Sequence, residues 1–143
     1  MKKVDLAYIA GLFDGEGCIS YERKPPYGIH VIVIMGQTEE YLIRWLYLAY
    51  GGRVRVRKAP TKFPNAKPLY VWWLRANEAC SFLGDILPYL RIKKPQAEAS
   101  IKYQEYLNSG HWGGKGHPLT NEQIALREAH RILIASLNKK GRA

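Results

Sequence analysis

The sequence predicts an α+β fold in the order αββαββα: an antiparallel sheet with helices packed on one face and extra helices at the C-terminal end. Three observations predict it. Strand-like runs come in pairs at hairpin spacing, CISYERK with IHVIVIM across PPYG, and RVRVRK with LYVWWLR across APTKFPNAKP. Each pair is preceded by a segment whose apolar residues recur at helical spacing. Further helical segments follow the second pair, and no tandem repeat interrupts the order.

The elements follow in turn. Ile9, Leu12 and Phe13 fall at i, i+3 and i+4, so a first helix is expected over Asp5 to Asp14, with Asp5 as a candidate N-cap. In CISYERK, Ile19, Tyr21 and Arg23 alternate with Cys18, Ser20, Glu22 and Lys24, the period of a strand. IHVIVIM is apolar at both parities, as in a central strand. A second helix follows, with Thr38 as candidate N-cap, Glu39 and Glu40 in its first turn, and Gly51-Gly52 as its stop. RVRVRK alternates strictly and reads as a half-buried strand, followed by a Pro- and Lys-rich loop and by LYVWWLR. Helices are expected from about Asn77, a candidate N-cap, to Leu87 and over PQAEASIKYQEYL, where Pro95 is tolerated in the first turn. A glycine-rich linker over 109–119 leads to a last helix over 120–138, opened by a Thr120/Gln123 capping box. Its Leu126, Ile132, Leu133 and Leu137 require one buried face. A single domain over 1–143 with a core at 5–108 accounts for the whole chain.

The charge narrows the function. Lys plus Arg number 22 against 12 Asp plus Glu, a formal net charge of +10. Such a balance in a compact chain points to nucleic acid more than to a small neutral metabolite. The two cysteines, Cys18 and Cys80, are too few for a disulfide framework or a zinc site and are expected reduced, in or near the core, in an intracellular protein. The N-terminus lacks the apolar run of a signal peptide, and no segment has the ~18 apolar residues of a membrane span.

Two features go beyond composition. Arg53, Arg55 and Arg57 share one strand face, opposite Val54 and Val56. Three guanidinium forks in a row match phosphates and guanine edges. Ser20, Glu22 and Lys24 extend the polar face, and the loop lysines Lys58, Lys62 and Lys67 can reach phosphates. The alternative is a solvated edge strand whose charges discourage aggregation. The second feature is AYIAGLFDGEG at 7–17, where Ala7, Gly11 and Gly15 recur every four residues on one helix face. Such a face admits close approach of another helix. The chain has no second stretch of this kind, so the simplest partner is the same helix of a second copy on a twofold axis. Two Glu16 carboxylates would then meet near the axis and repel unless a cation such as Mg²⁺ joined them. The competing account is a helix C-cap, with Gly15 or Gly17 at positive φ and the acids merely exposed. His30 either faces a nucleic acid or is a structural histidine. His111, Lys115 and His117 in or beside the linker, and Arg127, His130 and Arg131 of the last helix, are further candidates for backbone contacts.

Ile9-Ala10-Gly11-Leu12-Phe13-Asp14-Gly15-Glu16-Gly17 resembles the motif that names the LAGLIDADG homing endonucleases. Ile9, Phe13 and Glu16 stand where the motif has Leu, Ile and its second Asp, and Gly15 stands for Ala. The αββαββα order is also that of the family, over about residues 5–108, with a saddle-shaped sheet. One motif copy resembles the homodimeric branch. The resemblance implies an intron-encoded, site-specific double-strand DNA endonuclease, cutting a long pseudo-palindromic site with Mg²⁺ or Mn²⁺. Glu16 corresponds to the metal-binding acid, beside the carbonyl of Gly15. Asp14 corresponds to the acid that supports the dimer helices with Ala7, Gly11 and Gly15. Gln37 corresponds to a residue ordering the attacking water, and Lys93, beside Lys94, to the basic residue stabilising charge on the phosphate. Arg53, Arg55, Arg57, Ser20, Glu22, Lys24 and Lys62 become DNA contacts, and Tyr70 and Trp72 are expected either on the arginine face or packed under the long loop. The implied protein is intracellular and DNA-associated, in cytoplasm, nucleoid or an organelle. The alternative on the same fold is a non-cleaving binder, an intron RNA maturase or a DNA-binding regulator.

Overall fold

The computed structural model describes residues 1–24, 28–110 and 118–140. The PPYG turn's Pro25, Pro26 and Tyr27, and His111, Lys115 and His117, lie outside the described residues. The elements are α1 (Lys3–Glu16), β1 (Gly17–Lys24), β2 (Gly28–Gln37), α2 (Glu40–Tyr50), β3 (Arg53–Arg57), β4 (Leu69–Arg75), α3 (Ala76–Ile86), a 3-10 turn (Leu87–Tyr89), α4 (Lys94–Asn108) and α5 (Asn121–Lys140). The strands form one antiparallel sheet in the order β1-β2-β4-β3. Apolar on both faces, β2 takes a central place, and the basic strand β3 takes an edge.

Strand alternation sends one set of side chains into the core. Ile19 of β1, Val31, Val33 and Met35 of β2, and Trp72 and Leu74 of β4 are buried against Ile9, Ala10 and Phe13 of α1, Ile43 and Leu46 of α2, and Ala79, Phe82, Leu83 and Ile86 of α3. Phe82 is the hub, meeting the rings of Phe13, Tyr50 and Trp72 edge-on at centroid distances of 5.5, 5.0 and 5.2 Å. The Trp72 indole donates to the Gly51 carbonyl at 2.8 Å, so its one polar atom is satisfied inside the core.

Several local expectations change. Lys2, not Asp5, is the N-cap of α1, and Asp5 lies in its first turn. Glu39 replaces Thr38 as the N-cap of α2, and Arg75 stands at the N-cap of α3 in place of Asn77. Strand β3 is exposed on both faces, with Val54 39% and Val56 52% accessible. The reason is its edge position, because α2 lies mainly over β2 and β4. Gly15 is helical and Gly17 has φ −85°, so neither supplies a left-handed cap. Gly17 is needed for space: a Cβ there would stand 2.1 Å from Cδ2 of Phe13. Gly17→Ala is therefore expected to destabilise the fold by about 1–3 kcal/mol through overpacking, measured by urea unfolding. A change below the error of the titration would show that Phe13 can move aside freely.

α4 packs beside α3, and α5 crosses over β1, β2 and α4. Tyr103 of α4 donates to the Ile29 carbonyl at 2.8 Å, and Asn138 of α5 donates to the Ile19 carbonyl at 2.9 Å. The Thr120/Gln123 box caps α5 reciprocally, at 2.9 and 3.2 Å. The buried face of α5 differs from the expected one. Ile134 is buried and Leu137 half-buried, whereas Leu126, Ile132 and Leu133 stay exposed. Polar groups fill the rest of that face: Arg127 is buried, and Glu128 pairs with Arg131 and with Arg23 of β1. His130 lies on Tyr103 at 5.0 Å between centroids, and burial holds its pKa below the ordinary value. The unfolded histidine therefore takes up a proton at a pH where the folded one resists it. Stability from His130 is complete above the unfolded value of about 6.5 and declines as pH falls through the lower folded value. Thermal melts at pH 7.5 and 5.5 should show a lower midpoint at pH 5.5, and His130→Gln should shrink the difference.

Candidate functional site

The helices cover one face of the sheet, and among the described residues no helix lies on the other, open face. The register lists the residues that share it in rows across the strands. Cys18, Ile34, Trp73 and Arg53 form one row, and Ser20, Ile32 and Arg75 the next. On the other side run Gly36, Val71 and Arg55, then Leu69 and Arg57. Glu22 and His30 face each other near the β1–β2 turn, and Lys24 ends β1. Arg53, Arg55, Arg57 and Lys62 are exposed. Glu22 pairs with Arg75 at 3.4 Å, which ties part of the acid's charge. The His30 pKa is held down by burial and then by Lys24, which favours the neutral ring.

Tyr70 and Trp72 do not share the arginine face. They stand opposite Val56 and Val54, and Trp72 is core. The aromatic on the open face is Trp73, with the Arg55 guanidinium 5.9 Å from its ring centroid. Sequence reasoning missed Trp73 and Arg75. The signal was the parity of LYVWWLR, in which Arg75, Trp73, Val71 and Leu69 alternate together and the terminal arginine marks the solvent side. Cys18, expected in or near the core, is exposed on this face, whereas Cys80 is half-buried and burial pushes its thiol up to about 12. The Cys80 thiol is therefore not set up as a nucleophile.

The second part of the site lies at the end of α1. The Asp14 carboxylate accepts the backbone N–H groups of Arg91, Ile92 and Lys93 at 2.9, 3.2 and 2.9 Å. Lys93 returns its Nζ to the Asp14 carbonyl at 2.6 Å. This latch joins the C-terminus of α1 to the entrance of α4. It spends Asp14 and one ammonium donor, and leaves two Lys93 donors. Among the described residues Glu16 is exposed, with no hydrogen-bond or ion-pair partner. The β1–β2 ladder ends at Gly17 opposite Met35, so Gln37 emerges at the same end of the sheet. Glu16 and the Gly15 carbonyl are oxygen donors at the negative end of a helix, where a hard cation is favoured. A six-coordinate ion needs further oxygen ligands beyond these two, and among the described residues no cluster of three His, Cys, Asp or Glu is present.

The third part is the outer face of α1. Ala7, Gly11 and Gly15 are exposed, and a Cβ at Gly11 or Gly15 would meet nothing within 4 Å. Among the described residues, then, no contact requires those glycines. Ala7, Gly11 and Asp14 line a groove whose other wall is Pro88, Tyr89, Leu90 and Arg91.

No family model matches the chain, and no curated protein matches it. Solved structures do. The archaeal intron-encoded homing endonuclease I-Vdi141I, complexed with DNA, superposes with a TM-score of 0.73 at 18% identity, covering 96% of this chain and 86% of that one. The homing endonuclease I-CvuI, in complex with its target in the presence of 2 mM Ca, gives 0.69 at 19% identity over 94% of this chain and 82% of that one. The LAGLIDADG meganuclease I-AabMI, bound to uncleaved DNA, gives 0.58 at 18% identity over 87% of this chain but 44% of that one. The chain has the LAGLIDADG homing-endonuclease fold. Among the described residues, no helix is long and apolar enough to cross a membrane.

Proposed function

We propose that the chain is a homodimeric, metal-dependent, site-specific DNA endonuclease. The observation that carries this reading is the end of α1: an unpartnered Glu16 beside a latched Lys93, on a helix whose glycine face stands empty. The solved neighbours bound to DNA support it, as does the contrast between 86% of I-Vdi141I and 44% of I-AabMI covered, which fits one copy of a unit that the longer chain has room for twice.

In this reading α1 packs against α1 of a second copy through Ala7, Gly11 and Gly15, and the two Glu16 carboxylates with the Gly15 carbonyls hold Mg²⁺ or Mn²⁺. The ion, when bound, supplies Lewis acidity and lowers the pKa of water. Asp14 sets the angle between α1 and α4 and so fixes Lys93. The two spare Lys93 donors face the charge that builds on the scissile phosphate. Gln37 orders the attacking water through its amide. Arg53, Arg55, Arg57, Lys24 and Lys62 hold the duplex, with Ser20 and the Glu22–Arg75 pair reading base edges. A twofold protein requires a pseudo-palindromic site. Residues 5–108 form the working unit, α5 is an added brace, and the protein acts inside the cell on DNA.

The test is cutting of a plasmid library of randomised long sites with and without Mg²⁺. Double-strand breaks at a near-palindrome, dependent on Mg²⁺, are expected. Salt-sensitive binding without cutting in Mg²⁺ or Mn²⁺ would establish the non-cleaving reading instead. Gly11→Leu should leave the single chain folded, since a Cβ there meets nothing within 4 Å and the residue is exposed, yet abolish self-association in sedimentation. A dimer that survives Gly11→Leu would remove α1 from the interface.

A further inference from the structure

The middle of the open face is apolar. Ile32 and Ile34 of β2 and Val71 and Trp73 of β4 occupy adjacent rows, and Arg55, Arg57, Arg75 and Glu22 stand around them. Ile32 is buried and Ile34, Val71 and Trp73 are half-buried, although among the described residues no helix covers this side. A face that meets only water has no need of two isoleucines, a valine and a tryptophan together, and a face that read DNA by hydrogen bonds alone would carry amides and hydroxyls there. The surrounding arginines define the partner as a polyanion. Hence the occupant must be anionic at its edges and apolar at its centre.

The major groove of DNA has that pattern. Its walls are phosphates, and the only apolar group on its floor is the C5-methyl of thymine. The groove admits a two-stranded ribbon about 12 Å wide, the role that the central pair β2–β4 fills, with the β3 arginines carried on the flank toward one wall. The cation–π contact parks Arg55 on Trp73, beside the floor rather than in it.

We propose that Ile32, Ile34, Val71 and Trp73 form a methyl-reading floor, so that each half-site requires thymine, or another C5-methylated pyrimidine, at the base pairs lying over β2 and β4. The proposal rests on the DNA-binding reading above and adds a rule about sequence.

The test begins with selection of bound duplexes from a randomised library without Mg²⁺. The wild-type chain is then titrated with the selected duplex carrying deoxyuridine in place of thymidine, one position at a time. The exchange removes one methyl and keeps every hydrogen bond. Thymine is expected at two or more neighbouring positions per half-site, with a loss of about fourfold in affinity for each methyl removed there and none at other thymines. Deoxyuridine carrying no penalty, or selected sites without thymine at those positions, would overturn the floor while salt-dependent binding left the DNA reading standing. Failure to select any duplex would overturn both. Val71→Thr, close in shape to the parent, should erase the thymine–uracil difference at one position only. An unchanged difference at every position would exclude Val71 from the floor.

Discussion

Glu16→Gln is expected to reduce the cleavage rate by about 10²–10³-fold while leaving affinity for the selected duplex within about twofold. The substitution keeps the size of the side chain but removes the negative charge that, in the proposed function, would hold a divalent ion at the helix end. Glu16 makes no hydrogen bond or ion pair among the described residues, so folding should be unaffected. The measurement is single-turnover cutting across a Mg²⁺ series, with unfolding followed in parallel. A shift of the Mg²⁺ midpoint to higher concentration would place the effect on metal binding. Unchanged cutting by Glu16→Gln would remove this residue from the metal site.

Asp14→Ala should produce the largest loss of stability, about 2–3 kcal/mol, after non-additivity and partial exposure are set against three hydrogen bonds to a charged acceptor. For a chain of this size that lowers the melting midpoint by about 6–12 °C. Three donors ahead of α4 lose their acceptor at once, and α4 carries Tyr103, a core residue. Asp14→Asn should recover part of the loss, because an amide oxygen still accepts. Denaturant unfolding of the three proteins decides it: a loss under about 0.5 kcal/mol for the alanine variant would mean that the latch follows the fold instead of holding it.

Much of the architecture was legible in the order of the chain. The apolar parity of IHVIVIM put β2 at the centre, Gly51-Gly52 ended α2, and the Thr120/Gln123 pair opened α5. Local rules failed where tertiary packing took over. Thr38 and Asn77 are good capping residues, yet both helices start beside strands whose direction sets the first turn. By sequence Gly17 is a candidate left-handed helix cap; in the fold it is a slot for the Phe13 ring. Trp72 and Trp73 are adjacent in sequence and belong to opposite faces, a split already carried by the parity that ends in Arg75 and made explicit by the register with β3. α5 was harder still: its buried stripe is largely polar, with Glu128, Arg131 and Asn138 hydrogen-bonded, and apolar spacing alone points to the wrong face.

The site was legible as residue types and not as connections. The small residues of α1 and the acids after them stood out as a pattern that no isolated helix needs. Nothing in the sequence shows that Asp14 reaches 77 residues along the chain to the amide of Arg91, or that Lys93 answers it. That latch distinguishes the two acids of the motif: one is consumed in holding the fold, and the other is left over.

The claim at the centre of this account is that one chain carries half of a site. The most direct measurement is the mass of the particle on a cleaved duplex, read together with the dependence of cutting on protein concentration. The account predicts two chains per duplex and a rate that rises with the square of concentration below saturation. A single chain per duplex, cutting both strands with linear dependence, would contradict it.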